Sequence, residues 1–319
     1  MTTKKIDWVV IFSKYGIILV LFVLVIIFGL GNPVFFTASN FLTIMRQIVV
    51  VTIMTIGMTF ILISGGIDLS VGTQLSFIGV VTAKMLTQYG VNPVIALMIG
   101  VTLGAGIGAI NGVFIANTKV PPLVATLAMQ QILKGSGYVI SLGRPIYGLP
   151  DGVKFIGQGY IGFIPFPVIL LVLFILFGIF ILNKTYLGRS FYVIGSNEET
   201  GRLSGLKTKK ISIISYTLGG MLCGVAAVIM MARINSGSPT VGAGYEMDVL
   251  TAAVLGGVSV SGGEGKIYGA VIGALIMGVL SNGLIIMNVS EWYQMIIKGL
   301  VLALAVGFDS IRSKKLNSN

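Results

Sequence analysis

The side chains able to do chemistry in this 319-residue chain are few, and their arrangement argues against catalysis. There is no histidine, so the usual proton shuttle and the commonest zinc ligand are missing. The single cysteine, Cys223, lies inside an apolar run and allows neither an internal disulfide nor a cysteine-based metal site. A Ser–His, paired-Asp or metal constellation is not visible within the apolar stretches, so we expect no catalytic residue, no metal and no cofactor. One run imitates a phosphate loop: LGGVSVSGGEGK, Leu255 to Lys266. Val260 stands where the first glycine of GxxxxGK is needed, and Ile267 follows where Ser or Thr must hold magnesium. The chain has no visible means of hydrolysing nucleotide.

Other segments remain as candidates. SGGIDLSVG at 64–72 lies between two apolar stretches, and its glycines permit an abrupt chain reversal. Asp68 or Ser70 then caps the helix that follows, or an acidic group so near the membrane lines a pathway with Ser64 and Ser70. In GSNEETGRLSG at 195–205, Asn197 reads as an N-cap, Glu198 and Arg202 as an i,i+4 pair, and Gly205 as a stop. A short amphipathic helix against the membrane is expected there, one on which something docks. The alternative is a solvated linker carrying orientation charges. Gly195, Asn197, Glu198, Arg202, Ser204 and Gly205 are its candidate docking residues. Lys298, after Tyr293-Gln294, is expected to snorkel or to pair with an acidic group. Gly269, Gly273 and Gly278, among Ala and Ile, read as close helix packing.

The elements that must position these segments are membrane helices. Hydrophobic residues make up 55% of the chain, charged residues 10%, and the mean hydropathy is +0.99. A soluble domain has about a quarter of its residues charged, so a soluble enzyme is excluded and a lipid bilayer is the surrounding medium. The formal charge of +11 could suggest nucleic acid, but the Lys and Arg lie mostly in short segments between apolar runs, where topology signals sit. The charge-free stretch from Tyr15 to Met45 exceeds a signal-peptide core of about 7–15 residues and reads as a retained first span. Long charge-free stretches are 15–45, 47–67, 85–118, 155–183, 211–232 and 267–290. Shorter ones at 69–83, 120–133 and 249–263 read as short, broken or re-entrant, and 292–308 is interrupted by Lys298. This predicts an all-α integral membrane protein with ten segments, centred near residues 25, 56, 77, 102, 128, 172, 222, 255, 278 and 300.

Basic residues set the orientation. The segment 184–210 holds Lys184, Arg189, Arg202, Lys207, Lys209 and Lys210; the ends add Lys4, Lys5, Lys14, Arg312, Lys314 and Lys315. The positive-inside rule puts all three regions in the cytoplasm, and a count of ten segments agrees. The same count puts 143–159 and 233–247 outside. No convincing internal duplication relates the two halves.

With these motifs in place, the chain resembles the permease subunit of bacterial ATP-binding-cassette sugar importers, in the branch carrying ribose, galactose and xylose, and most nearly its ribose-type members. SGGIDLSVG, GSNEETGRLSG, GYEMDVLTAAVLGGVSVSGGEGKIYG at 244–269, and NGL with YQMIIKG at 282–284 and 293–299 carry the resemblance in order and spacing. It departs at Thr200-Gly201, where relatives more often carry small Ala residues. The resemblance implies one permease domain over 1–319 in the inner membrane, with a coupling loop at about 184–210. It further implies a second permease copy, ATPase subunits that bind the ATP, and an extracytoplasmic binding protein delivering a ribose-like sugar. Gly195 to Gly205 would then seat on the ATPase. An ion-coupled secondary carrier is the alternative; it would want ionisable groups at the membrane midplane, where Lys298 alone lies well inside a long apolar run.

Overall fold

The computed structural model describes residues 8–118 and 120–317, with side chains over 17–118, 120–307 and 309. Lys4 and Lys5 lie outside the described residues, as do the side chains of Lys14, Arg312, Lys314 and Lys315. Thirteen α-helices occupy the described residues: α1 (Trp8–Gly31), α2 (Ala38–Ile63), α3 (Val71–Thr87), α4 (Pro93–Asn117), α5 (Pro122–Ser141), α6 (Asp151–Gln158), α7 (Phe166–Lys184), α8 (Tyr186–Ser196), α9 (Glu198–Leu203), α10 (Thr208–Ile234), α11 (Tyr245–Leu255), α12 (Ile267–Ile286) and α13 (Glu291–Asn317).

Five of them, α2, α4, α7, α10 and α12, are long and apolar enough to cross a bilayer. Helix α2 is buried on every side from Ile48 to Ile63 and forms the axis of the core. Helix α7 is as apolar but turns Val172, Leu173, Leu176 and Phe180 outward. A helix apolar on its outer face as well as its inner one is stable in lipid and not in water. The chain is an all-α integral membrane protein.

Boundaries differ from the sequence reading where local turn chemistry overrides hydropathy. The stretch 15–45 contains two helices. Asn32 accepts from Val34 N at 2.9 Å, Pro33 starts a 3-10 turn, and Thr37 caps α2. The stretch 155–183 opens with the end of α6 and a two-residue hairpin, β2 (Tyr160–Ile161) with β3 (Ile164–Pro165), before α7 begins. The segment at 120–133 is not short, because α5 runs on to Ser141. The segment at 249–263 is helical only to Leu255, where Gly257 with φ +78° turns the chain.

Glycine brings helices together as membrane packing requires. Gly104 and Gly108 of α4 press on Gly220 and Tyr216 of α10, where an added Cβ would strike a carbonyl oxygen. Gly269 and Gly273 of α12 lie in the same way on Gly256 and Ala252, and Gly278 lies on Ile48, as expected of those three.

The segments 143–159 and 233–247 meet at one end of the bundle. There β1 (Ile146–Tyr147) pairs antiparallel with β4 (Ser236–Gly237), and Gln158 Nε2 donates to Arg233 O at 3.0 Å. Beyond β4 the chain leaves the helix ends and descends beside α3, where Gly242 N donates to Ser76 Oγ at 2.8 Å. Irregular backbone survives inside the bundle because protein covers it and satisfies its polar groups.

Candidate functional site

At the opposite end of the bundle, three of the glycine-rich motifs converge. Helix α2 ends at Ile63 with Ser64 as its C-cap, and Gly65, with φ +83°, turns the chain sharply. Gly66 N donates back to Ile61 O at 2.9 Å, closing the helix. The Ile63 carbonyl then accepts from Gly263 N at 3.0 Å. Gly195 of α8 sits over the same carbonyl, so closely that a Cβ there would collide with it and reach 2.7 Å from Gly263 N. Tyr192 ties α8 to the third segment by donating to Gly265 O at 2.7 Å. Ile63, Gly195 and Gly263 thus form one junction between α2, α8 and the 256–266 turn.

Helix α9 stands on this junction. Asn197 caps it, accepting from Thr200 N at 2.9 Å, as its position predicted. Leu206 N reaches back to Gly201 O at 3.1 Å, and Gly205, at φ +82°, ends the helix as expected. The expected Glu198–Arg202 pair is not formed. Arg202 bonds Glu199 instead, its i,i+3 neighbour, Nε to Oε2 at 2.9 Å. That bond holds the Glu199 carboxyl below the usual carboxylate range and the guanidinium above its own. Glu198 faces a cleft shared with Ser64, Lys209, Ser212 and Tyr216. Ser204 bonds Thr200 O, and no atom stands near the place of a Gly205 Cβ. The candidate docking residues therefore divide: Gly195 packs inward at the junction, while Asn197, Glu198, Arg202, Ser204 and Gly205 are exposed. Sequence reasoning missed Leu203, an apolar side chain 77% exposed on α9.

The three pathway candidates divide as well. Ser64 Oγ bonds Ser215 Oγ at 2.8 Å beside the cleft. Asp68 and Ser70 are wholly buried. Asp68 Oδ1 accepts from Ser70 N at 2.8 Å and Ser70 Oγ at 2.5 Å, and Oδ2 accepts from Gln74 Nε2 at 3.1 Å. Asn111 of α4 completes the cluster, donating to Ser70 Oγ at 3.1 Å. Asp68 thus caps the turn into α3 through Ser70 N, and no capping bond comes from the Ser70 side chain. Tyr216 Oη bonds both N and O of Ile67, and Cys223 Sγ donates to Val71 O at 3.2 Å, so the segment is laced to α10. Gln74 and Asn111 were not singled out, although each is a carboxamide inside an apolar helix.

Lys298 of α13 pairs with Asp248 of α11 at 2.7 Å, both mostly buried, which is the acidic pairing expected of it. Glu246, one residue from Met247 on the same helix, accepts from Gln130 of α5 at 3.4 Å. Lys298 is therefore not alone as an ionisable group within the helices. Among the described residues no three Asp, Glu, Cys or His side chains gather as a metal ion would require.

Residues 40–306 match the family model described as "Branched-chain amino acid transport system / permease component". The chain is 41% identical over 312 residues to the ribose import permease protein RbsC of Bacillus subtilis (strain 168), covering 97% of each. It is 40% identical to the Escherichia coli (strain K12) protein of that name, over 97% of this chain and 99% of that one. The L-arabinose transport system permease protein AraH of the same strain is 38% identical over 95% of this chain and 92% of its own length. No solved structure matches. The helices, the buried polar clusters and these relatives agree on a multi-pass protein of the inner membrane, and the chain belongs to the branched-chain amino acid transport system permease family.

Proposed function

We propose that this chain is the membrane-spanning permease of an ATP-binding-cassette importer for a ribose-like sugar. The carrying observation is end-to-end similarity, 97% of both chains at 41% identity, to a ribose import permease, with allose and arabinose permeases next to it. The chain's work is then transport and not catalysis. A second copy forms the pathway with it, ATPase subunits bind the ATP, and an extracytoplasmic binding protein delivers the sugar. Residues 1–319 act as one permease domain with a coupling loop at about 184–210. Helix α9, capped at both ends, exposed, and carrying Leu203 outward, suits a docking element for the ATPase. Ten helices, α1–α5, α7 and α10–α13, overlap the ten segments of the sequence reading, α11 only in part, and on this reading the chain crosses ten times with both termini and α9 cytoplasmic.

Two experiments test this reading. Membrane vesicles holding permease, ATPase and binding protein should accumulate ribose only with ATP. Accumulation on a proton or sodium gradient, without the ATPase, would establish the ion-coupled carrier instead. After Cys223→Ser, a cysteine at Gly205 should be labelled only from the cytoplasmic side and one at Asp151 only from outside. Labelling of position 205 from outside overturns the topology.

A further inference from the structure

The outward surface of α5 is two surfaces. Ile132 and Val139, seven residues apart, point outward along one stripe, 60% and 75% exposed. Such a stripe suits lipid or an apolar neighbour. A second stripe lies about a third of a turn away, through Val124, Leu127, Gln131, Lys134 and Tyr138, spaced by three, four, three and four residues, apolar in its first turn and polar from Gln131 on. Gln131, Lys134 and Tyr138 are exposed on it, and half-buried Gln130 borders it with its bond to Glu246. Gln131 lies nine residues from Pro122 and ten from Ser141, so its carboxamide sits about halfway along the helix. In hydrocarbon an exposed carboxamide at that depth would leave its donors and acceptor unsatisfied, which the bilayer interior penalises. Lys134 would add a charge that lipid rejects more strongly. This stripe must therefore face water or polar partners, although the helix next to it faces lipid or an apolar neighbour.

The pathway candidates Asp68 and Ser70 are sealed inside the protein, bonded to each other and to Gln74. They have no surface to offer. The geometry points instead to the polar stripe of α5, Gln130, Gln131, Lys134 and Tyr138 with Glu246 of α11, as the wall of the hydrated path along which the sugar passes. This inference rests on the sugar-import reading for the identity of the cargo. Carboxamides, an ammonium and a phenol present both donors and acceptors to sugar hydroxyls without enclosing them. Such a wall guides a polyhydroxylated solute and does not trap it, consistent with affinity residing in a separate binding protein.

The test is reactivity towards a charged, membrane-impermeant methanethiosulfonate reagent in the full complex in membranes. The background is Cys223→Ser, with Gln131→Cys or Lys134→Cys compared with Ile132→Cys and Val139→Cys. Thiolate, the reacting form, exists only where water reaches, so positions 131 and 134 should react at least about tenfold faster than 132 and 139. Two positions on each stripe guard against one variant failing to insert. Saturating ribose with binding protein and ATP should slow the reaction at 131. Equal rates on the two stripes, or faster reaction at 132 and 139, overturn the proposal. Fast labelling at 131 and 134 without ATP-driven ribose uptake by the wild-type complex would leave the path standing and remove the sugar reading. Ribose uptake with slow labelling at both would do the reverse.

Discussion

The Ile63–Gly195–Gly263 junction and the Asp68 cluster follow one another within a few residues of chain, yet they are held by opposite means. The junction is backbone against backbone: a carbonyl, two glycines, and no room for a side chain between them. The cluster is side chain against side chain: a carboxylate, a hydroxyl and two carboxamides in a sealed space. Close backbone contact cannot give without moving the elements that make it, so displacement of α9 and α8 is passed directly to the end of α2 and the 256–266 turn. The cluster resists displacement of the segment entering α3, because breaking any bond strands a buried polar group. One region is suited to transmit movement and the other to refuse it. On the proposed function, that is the division a transporter driven through α9 requires.

The sharpest way to break this contrast is Gly195→Leu. The added side chain strikes the Ile63 carbonyl and Gly263, and overpacking of this kind costs about 1–3 kcal/mol or more. We expect strongly reduced assembled complex and no ribose uptake. Normal amounts of complex with normal uptake would mean the junction is loose. Asp68→Ala comes next. It leaves donors of Ser70 and Gln74 unsatisfied, and we expect a loss of about 2–4 kcal/mol in unfolding of the purified protein titrated with SDS. Asp68→Asn keeps the shape and should lose about half as much, since one acceptor oxygen survives.

Gly205→Trp leaves both regions intact and probes only what α9 meets. The membrane spans should insert normally, while sugar-stimulated ATP hydrolysis and uptake disappear together. Gly205→Ala shares the strained φ of +82° without the bulk and should keep most activity, separating strain from docking. Loss in both variants would assign the effect to the turn. Full activity of the Trp variant would move coupling to the 111–119 or 256–266 segments.

The smallest effect is expected at Arg202. Its bond holds the Glu199 carboxyl low, so whatever the pair contributes is fully present above the ordinary carboxylate value of about 4.3 and is lost as pH falls through the lower folded value. Both side chains are more than 60% exposed, and water and salt screen the pair. Arg202→Ala should therefore reduce uptake less than Gly205→Trp, with no change in its pH dependence between about pH 6 and pH 8. A new pH dependence in that range would show that Arg202 meets another titrating group on the docked ATPase.

Much of this molecule is written locally. Charge-free runs, the Asn197 cap, the Gly205 stop and the glycine spacing of α12 depend on neighbours within a few residues, and each is legible as sequence. The pairing of Lys298 was legible in kind, since a charge inside an apolar run needs a partner, but not in identity. What stayed hidden depends on which distant segments meet. Gly195 reads as surface until Ile63 and Gly263 are brought against it. Asp68 and Ser70 read equally as a helix cap or as pathway groups until Gln74 and Asn111 close over them. The polar stripe of α5 shows as a pattern only once its buried side is known.

By itself, then, the sequence determined the medium, the helical class, the resemblance to sugar permeases and the place of the α9 turn. Lipid solvation and helix capping are short-range and compositional, so they act on any chain with this pattern. Only the tertiary structure decided which polar groups are sealed and which are presented. That choice depends on which polar groups find partners elsewhere in the chain, as Asp68 finds Asn111 and Lys298 finds Asp248, and hydropathy carries no record of those partners.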